Sequence, residues 1–142
     1  MINAASEEET IQAGRDLAPS LSGVVFLIGD LGAGKTTLVR GIVSAIEGAR
    51  PDEVSSPTFT LIHDYGAGVF HIDLYRLETQ KEIETLGLDE IFDHARLALV
   101  EWGEKLGARS PVPRTEIHIH YAGEGRGIET MEVRDVTGTR TT

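Results

Sequence analysis

The stretch that decides the fold runs from residue 24 to residue 36 and reads Val-Val-Phe-Leu-Ile-Gly-Asp-Leu-Gly-Ala-Gly-Lys-Thr. Its first five residues form a continuous apolar run, which is typical of a strand buried in a parallel sheet. The next eight match the phosphate-binding pattern G-x-x-x-x-G-K-S/T. Apolar residues then recur at helical spacing from Leu38 to Ile46, and Gly48 offers a helix stop, so a helix is predicted over residues 35–47. Strand, glycine loop and helix are the context that this pattern requires.

The loop predicts a site for a nucleotide and its metal ion. Lys35 can reach the β- and γ-phosphates, and the Thr36 hydroxyl can bind Mg²⁺. Backbone N–H groups of the loop can face the phosphates, and the start of the helix adds a partial positive charge there. The predicted nucleotide contacts of this segment are Asp30, Leu31, Gly32, Ala33, Gly34, Lys35, Thr36 and Thr37.

Composition predicts a globular protein of one domain. The chain has 142 residues, of which 40% are hydrophobic and none is cysteine, so disulfides and thiolate metal sites are excluded. No apolar run is long enough for a membrane span, and the first residues do not resemble a signal peptide. We therefore expect a cytoplasmic protein without membrane contact. The net charge of −10 argues against tight nucleic-acid binding by this chain alone.

The rest of the chain alternates helical and strand patterns, which predicts an α/β fold. Ser6 and Glu9 form a capping-box pattern for a helix that ends before Pro19. Hairpins are predicted for 58–65 with 69–73 and for 115–121 with 128–136. We also expect short helices in 78–93 broken near Gly87, a buried strand at 97–101, a loop at 103–114 and a frayed tail at 136–142. The predicted fold is P-loop NTPase-like: a central, mostly parallel sheet with antiparallel additions, flanked by helices.

Two acidic residues stand where apolar strands stop. Asp73 follows Val-Phe-His-Ile, and Glu101 follows Leu-Ala-Leu-Val. Ligands in open α/β sheets bind at the carboxyl ends of the strands, and a P-loop enzyme needs a carboxylate for Mg²⁺ there. The residues alone do not decide which acid serves the metal. Thr58, in the segment Ser-Ser-Pro-Thr-Phe at 55–59, is a candidate switch-loop hydroxyl.

The histidines are interpreted as structural residues rather than ligands. His118 and His120 share one face of a predicted strand, but the sequence offers no evident third ligand beside them. His71 shares a face with Asp73, and only Asp73 is assigned to the site. Trp102 follows Glu101 directly and is either a packed indole or a residue that contacts the site or a partner.

With these motifs in this order, the chain resembles the TsaE family, formerly YjeE, the bacterial ATPase component of tRNA threonylcarbamoyladenosine synthesis. The resemblance is carried by the loop extended to Thr37, by Ser-Ser-Pro-Thr-Phe, by His-Ile-Asp-Leu-Tyr-Arg-Leu at 71–77 and by Val-Glu-Trp at 100–102. It runs from about Glu9 to Val133.

The resemblance implies ATP and Mg²⁺ as ligands and TsaD and TsaB as protein partners, with tRNA met only through their complex. ATP hydrolysis, weak in the isolated chain, would reset the TsaD–TsaB pair for turnover. Glu101 would be the metal carboxylate, Asp73 would lie near the γ-phosphate, and Thr58 would be the switch-loop hydroxyl. Thr10 and Arg126 would hold the nucleoside end.

Three other readings of the phosphate loop stay open. A small-molecule or nucleotide kinase normally needs basic lid residues, and this chain has only the lysines Lys35, Lys81 and Lys105. A GTPase normally carries Asn-Lys-x-Asp to read guanine, and the sequence lacks that stretch. A nucleotide-binding adaptor without meaningful hydrolysis is the remaining alternative.

Overall fold

The computed structural model describes residues 2–30, 34–51, 54, 61–134 and 140–141. Its helices and strands alternate along the chain. They are β1 (Ile2–Ala4), α1 (Glu7–Leu17), β2 (Gly23–Ile28), α2 (Lys35–Ser44), β3 (Ile62–Asp64), β4 (Val69–Asp73), α3 (Gln80–Glu84), α4 (Leu88–His94), β5 (Leu97–Glu101), β6 (Arg114–Ala122), β7 (Gly125–Val133) and β8 (Arg140–Thr141). Short 3-10 helices follow α1 at Ala18–Ser20 and β5 at Gly103–Arg109.

One mixed sheet carries the fold, in the order β1-β7-β6-β2-β5-β4-β3, with β8 also paired to β7. The central strands β6, β2, β5 and β4 run parallel to one another. The hairpin pairs β3–β4 and β6–β7, and the edge strands β1 and β8, are antiparallel. A mixed α/β architecture with a mostly parallel centre is therefore confirmed.

The continuous apolar run of β2 is explained by burial on both faces of the sheet. Val25 and Leu27 pack into the core beneath α1 and α2, while Val24 and Phe26 pack into a second core with α3 and α4. A strand covered on both sides gains from apolar residues at every position rather than at every second one. Packing on both faces fixes the position of the end of β2, where the phosphate-loop pattern begins.

Helices α1 and α2 cross in close contact through two glycines. A Cβ atom at Gly14 would lie 2.6 Å from the Leu38 carbonyl oxygen, and one at Gly41 would overlap the Ile11 carbonyl. At the start of α1, the Ser6 side chain accepts a hydrogen bond from the Glu9 N–H at 3.2 Å, which confirms the predicted N-cap. The helix stays ahead of Pro19, as expected.

Several predicted boundaries were wrong for local reasons. Helix α2 ends at Ser44 instead of residue 47 because the chain tightens there into bonds between residues three apart, Ala45 to Ile42 and Ile46 to Val43. Residues 103–109 were expected to be loop. They form a 3-10 helix that buries Leu106 and that is tied to the chain before α3 by Lys105.

The carboxyl-terminal hairpin also differs from its prediction. Strands β6 and β7 stay paired up to Ala122 and Gly125, so the turn is Gly123-Glu124 rather than residues 122–127. A two-residue turn needs a positive φ, which Gly123 supplies at 63°. Arg140–Thr141 pairs with β7, so this part of the expected frayed tail is a strand. Strand β1 was not predicted. The hairpin of 58–65 with 69–73 was predicted, and β3 and β4 confirm it. Residues 58–60 of its first segment lie outside the described residues.

Candidate functional site

The site lies where β2 ends and α2 begins. Gly34 is the N-cap of α2 with φ 106°, a left-handed conformation that favours glycine. A Cβ atom at Gly29 would overlap the Ile119 carbonyl oxygen, so glycine is needed where the loop leaves β2. Asp30 is exposed, and Leu31, Gly32 and Ala33 lie outside the described residues. Thr36 and Thr37 lie in the first turn of α2, both partly buried.

Lys35 is buried at the mouth of this loop with only 6% of its surface exposed. Its ammonium group donates a hydrogen bond to the Gly29 carbonyl oxygen at 2.7 Å and lies 4.0 Å from Glu101 Oε1. The same group is 4.5 Å from the centroid of the Trp102 ring, within the range of a cation–π contact. The predicted phosphate lysine and the predicted metal carboxylate are therefore neighbours.

Both candidate acids stand at the same edge of the sheet. Strands β4 and β5 are parallel, and their register pairs Asp73 with Glu101. Glu101 is 5% exposed, whereas Asp73 is half-buried and accepts a hydrogen bond from the Tyr75 N–H at 2.9 Å. Burial, and then the Glu101 carboxylate, raise the pKa of Asp73, although the Tyr75 N–H, His71 and Lys35 act in the opposite direction.

A pocket of about 260 Å³ opens beside the first turn of α2. It brings together residues from α1, the start of α2 and the turn between β6 and β7. The lining includes Thr10, Gly34, Thr37, Glu124 and Arg126. Thr10 is 3% exposed and donates its hydroxyl proton to the Ser6 carbonyl, and the Arg126 guanidinium lies 4.2 Å from the centroid of the Tyr121 ring. Thr10 and Arg126, far apart in sequence, thus line one cavity next to the loop.

Thr58 is the one predicted catalytic residue that cannot be located, because residues 55–60 lie outside the described residues. Its assignment stays a prediction. His118 lies 3.0 Å from Glu116, and His120 is exposed. Within the described ranges, no three His, Cys, Asp or Glu side chains are grouped so that they could hold a metal ion by themselves.

Sequence reasoning missed a buried polar chain behind Glu101. His71 has no exposed surface, and its Nε2 atom lies 2.6 Å from Glu101 Oε2. Its Nδ1 atom lies 2.9 Å from the hydroxyl of Tyr65, which is also fully buried. The signal available in the sequence was a histidine inside an apolar strand, two residues before a candidate acid and therefore on the same face.

The groups at this edge suit a magnesium nucleotide. Glu101 supplies hard carboxylate oxygen, Thr36 supplies a hydroxyl on the first turn of α2, and Lys35 supplies the cation beside them. Mg²⁺ is usually held by one or two carboxylates together with substrate phosphates and water, rather than by an all-protein cage. The donor set therefore fits a metal shared with a phosphate ligand.

Comparison with known proteins connects this geometry to one family. The model of the family described as threonylcarbamoyl adenosine biosynthesis protein TsaE matches residues 4–130. A curated relative named tRNA threonylcarbamoyladenosine biosynthesis protein TsaE, from Haemophilus influenzae, is 40% identical over 111 residues, or 76% of this chain and 69% of that protein. The protein of the same name from Bacillus subtilis is 44% identical over 104 residues, 71% of this chain and 63% of its own length.

A solved structure agrees with the sequence comparison. The crystal structure of YdiB from Bacillus subtilis is similar with a TM-score of 0.71 at 30% sequence identity, and the match covers 96% of this chain and 86% of YdiB. The shared architecture therefore extends over nearly the whole of this chain. None of the helices within the described ranges combines the length and the apolar composition that a membrane span requires.

Proposed function

The chain belongs to the TsaE family, and on that premise we propose that it binds ATP with Mg²⁺ and hydrolyses it in the biosynthesis of tRNA threonylcarbamoyladenosine. Hydrolysis would serve turnover of a TsaD–TsaB complex that modifies the adenosine beside the anticodon. The fold would then be that of a P-loop NTPase, and the work would be done in the cytoplasm. One observation carries the proposal: the ammonium group of Lys35, the first residue of α2, lies 4.0 Å from Glu101 Oε1.

Two parts of the site support nucleotide binding. Lys35 and the start of α2 supply positive charge for the β- and γ-phosphates. The pocket lined by Thr10 and Arg126 holds about 260 Å³, slightly less than the ~300–1,000 Å³ typical of small-molecule sites. This size suits the nucleoside end of ATP, with the phosphates extending past Gly34 toward Lys35.

The acids support a division of labour in hydrolysis. Thr36 and Glu101 would hold Mg²⁺, which when bound neutralises phosphate charge during phosphoryl transfer. Asp73 stands next to Glu101 in the sheet register and would orient the attacking water. Burial raises the pKa of Asp73, which makes its carboxylate a stronger acceptor for a proton of a water molecule.

Partner activation is part of the proposal. Among the described residues, no arginine forms an ion pair with Glu101. Binding of TsaD–TsaB would therefore order the Thr58 loop or supply a missing cation for the transition state. The net charge of −10 favours a division in which the partners, rather than this chain, contact tRNA. Hydrolysis by the isolated chain should therefore be slow.

The test is steady-state ATP hydrolysis by the chain alone and with TsaD and TsaB. Lys35→Ala should abolish both activity and its stimulation, because it removes the buried cation. Lys81→Ala is the matched control, since Lys81 is an exposed lysine on α3 and its loss should change nothing. A rate that the partners do not raise would contradict the proposal, and phosphate transferred to an added small molecule would favour a kinase.

A further inference from the structure

We propose that His71, backed by Tyr65, is a positioning residue that aims the Glu101 carboxylate at the metal site. The inference rests on the proposed function, because it assigns Glu101 to Mg²⁺. The two oxygens of Glu101 have different surroundings. Oε2 lies 2.6 Å from His71 Nε2, whereas Oε1 lies on the side of Lys35, 4.0 Å from its ammonium group.

The chemistry of the three groups determines which of them donates in each hydrogen bond from Tyr65 through His71 to Glu101. A carboxylate can only accept hydrogen bonds, so His71 Nε2 must carry a proton and donate it to Glu101 Oε2. In a neutral imidazole the other nitrogen is then an acceptor, and the Tyr65 hydroxyl donates to Nδ1 across 2.9 Å. Tyr65 therefore selects the His71 tautomer that can hold Glu101.

The far end of this chain is anchored to the backbone. The Tyr65 N–H donates to the Val69 carbonyl at 2.9 Å, and the Tyr65 carbonyl accepts from the Arg50 N–H at 2.7 Å. Tyr65 and His71 have no exposed surface, so water cannot replace either partner. Turning Glu101 away would leave a buried histidine N–H without an acceptor, which is unfavourable.

As a consequence, Glu101 Oε2 is held by His71, and Oε1 is left facing Lys35 and the proposed metal site. A glutamate side chain has three rotatable bonds, and Lys35 alone could draw either oxygen toward itself. Groups that orient ligand side chains affect metal affinity although they do not touch the metal, typically by about 10–100-fold. We expect His71 to act on Mg²⁺ affinity and not on the nucleotide itself.

The variants His71→Gln and His71→Asn distinguish the loss of the hydrogen bond to Glu101 from the loss of the imidazole ring, because both lack the ring and only the first can still donate to Glu101. The amide nitrogen of His71→Gln is three bonds from Cβ, as Nε2 is, and can still donate to Glu101. The amide of His71→Asn is one bond shorter and falls at the level of Nδ1. Tyr65→Phe keeps the ring and removes only the oxygen that donates to His71.

Calorimetry gives the readouts. ADP affinity is measured in EDTA, and Mg²⁺ affinity is measured by titrating the metal into the ADP complex. We expect His71→Asn to weaken Mg²⁺ binding about 10–100-fold, His71→Gln to restore most of that loss and Tyr65→Phe to fall between. ADP affinity in EDTA should stay within about twofold of the unmodified chain, because none of these side chains lies at the phosphate loop.

The outcomes separate this inference from the proposed function. Unchanged Mg²⁺ affinity in His71→Asn overturns the inference, and so does an equal loss in the Asn and Gln variants with ADP affinity in EDTA falling alongside. If His71→Asn does not fold, unchanged Mg²⁺ affinity in Tyr65→Phe overturns it. Failure of the unmodified chain to bind ADP overturns the proposed function as well. ADP binding without any effect of Mg²⁺ overturns the metal assignment and this inference with it, but leaves nucleotide binding standing.

Discussion

Replacing Gly14 by alanine sets two opposing effects against each other at the contact between α1 and α2. Alanine is favoured over glycine inside a helix by about 1 kcal/mol. The new Cβ atom, however, would lie 2.6 Å from the Leu38 carbonyl oxygen and 2.8 Å from the Ile42 nitrogen. Ordinary van der Waals contact begins at 3.4 Å, so the distance of 2.6 Å is too short by 0.8 Å. The two helices would have to move apart to relieve this overlap.

The packing cost should exceed the gain from helix propensity. Overpacking costs about 1–3 kcal/mol, and the upper part of that range applies when the obstacle cannot turn aside. Here the obstacles are backbone atoms of α2, which no change of rotamer can move. We therefore expect Gly14→Ala to lower the free energy of unfolding by about 1–2 kcal/mol, or to lower Tm by about 2–8 °C for a chain of this size.

Chemical and thermal denaturation measure the change, and Gln12 provides the matched control. Gln12 is exposed on the same helix, so the difference between Gln12→Ala and Gln12→Gly reports the propensity effect without a facing backbone. The free energy of unfolding should be higher for Gln12→Ala than for Gln12→Gly, whereas it should be lower for Gly14→Ala than for the unmodified chain. If Gly14→Ala raises Tm as the Gln12 pair does, α1 and α2 have room to separate and the reasoning is refuted.

Two further substitutions test the site edge and the second core. In buffer without metal or nucleotide, Asp73→Asn should raise the free energy of unfolding at neutral pH, since burial raises the pKa of Asp73 and the ionised form is disfavoured in the fold. This gain should shrink as the pH falls through the raised value toward the ordinary 3.8, where both states are protonated; a gain that persists in acid would contradict the assignment. Gly103→Ala should cost about 1–3 kcal/mol because its Cβ atom would lie 2.7 Å from the Phe26 ring, and Phe26→Leu should remove most of that extra cost in a double-mutant cycle, whereas simple additivity would argue against the clash.

Residue pattern predicted the centre of the molecule better than its margins. The apolar runs at 24–28 and 97–100 are only five and four residues long, which favours strands over helices, and a strand covered on both faces takes apolar residues at every position. Edge strands are different. Strand β1 has three residues and exists because β7 offers unpaired backbone groups to it, which is a property of the assembled sheet that no local pattern encodes.

The site was predictable where one motif or one strand end determines it. Lys35 follows from the loop pattern, and Asp73 with Glu101 follows from the convergence of parallel strands at one edge. The role of His71 required three-dimensional information, because its partners Tyr65 and Glu101 come from the turn before β4 and from a different strand. Sequence periodicity places a side chain on a face but does not name the atom that it meets.

Trp102 is the single tryptophan of the chain, and it lies over Lys35 with its ring 5.1 Å from that of the exposed Tyr75. All indole emission from this protein therefore originates at one point, between the buried Lys35 and the exposed Tyr75. Stopped-flow fluorescence of the unlabelled chain could follow the arrival of a nucleotide on one side of the ring and the docking of a protein on the other. The chain thus carries one intrinsic fluorophore, 4.5 Å from the ammonium group of Lys35.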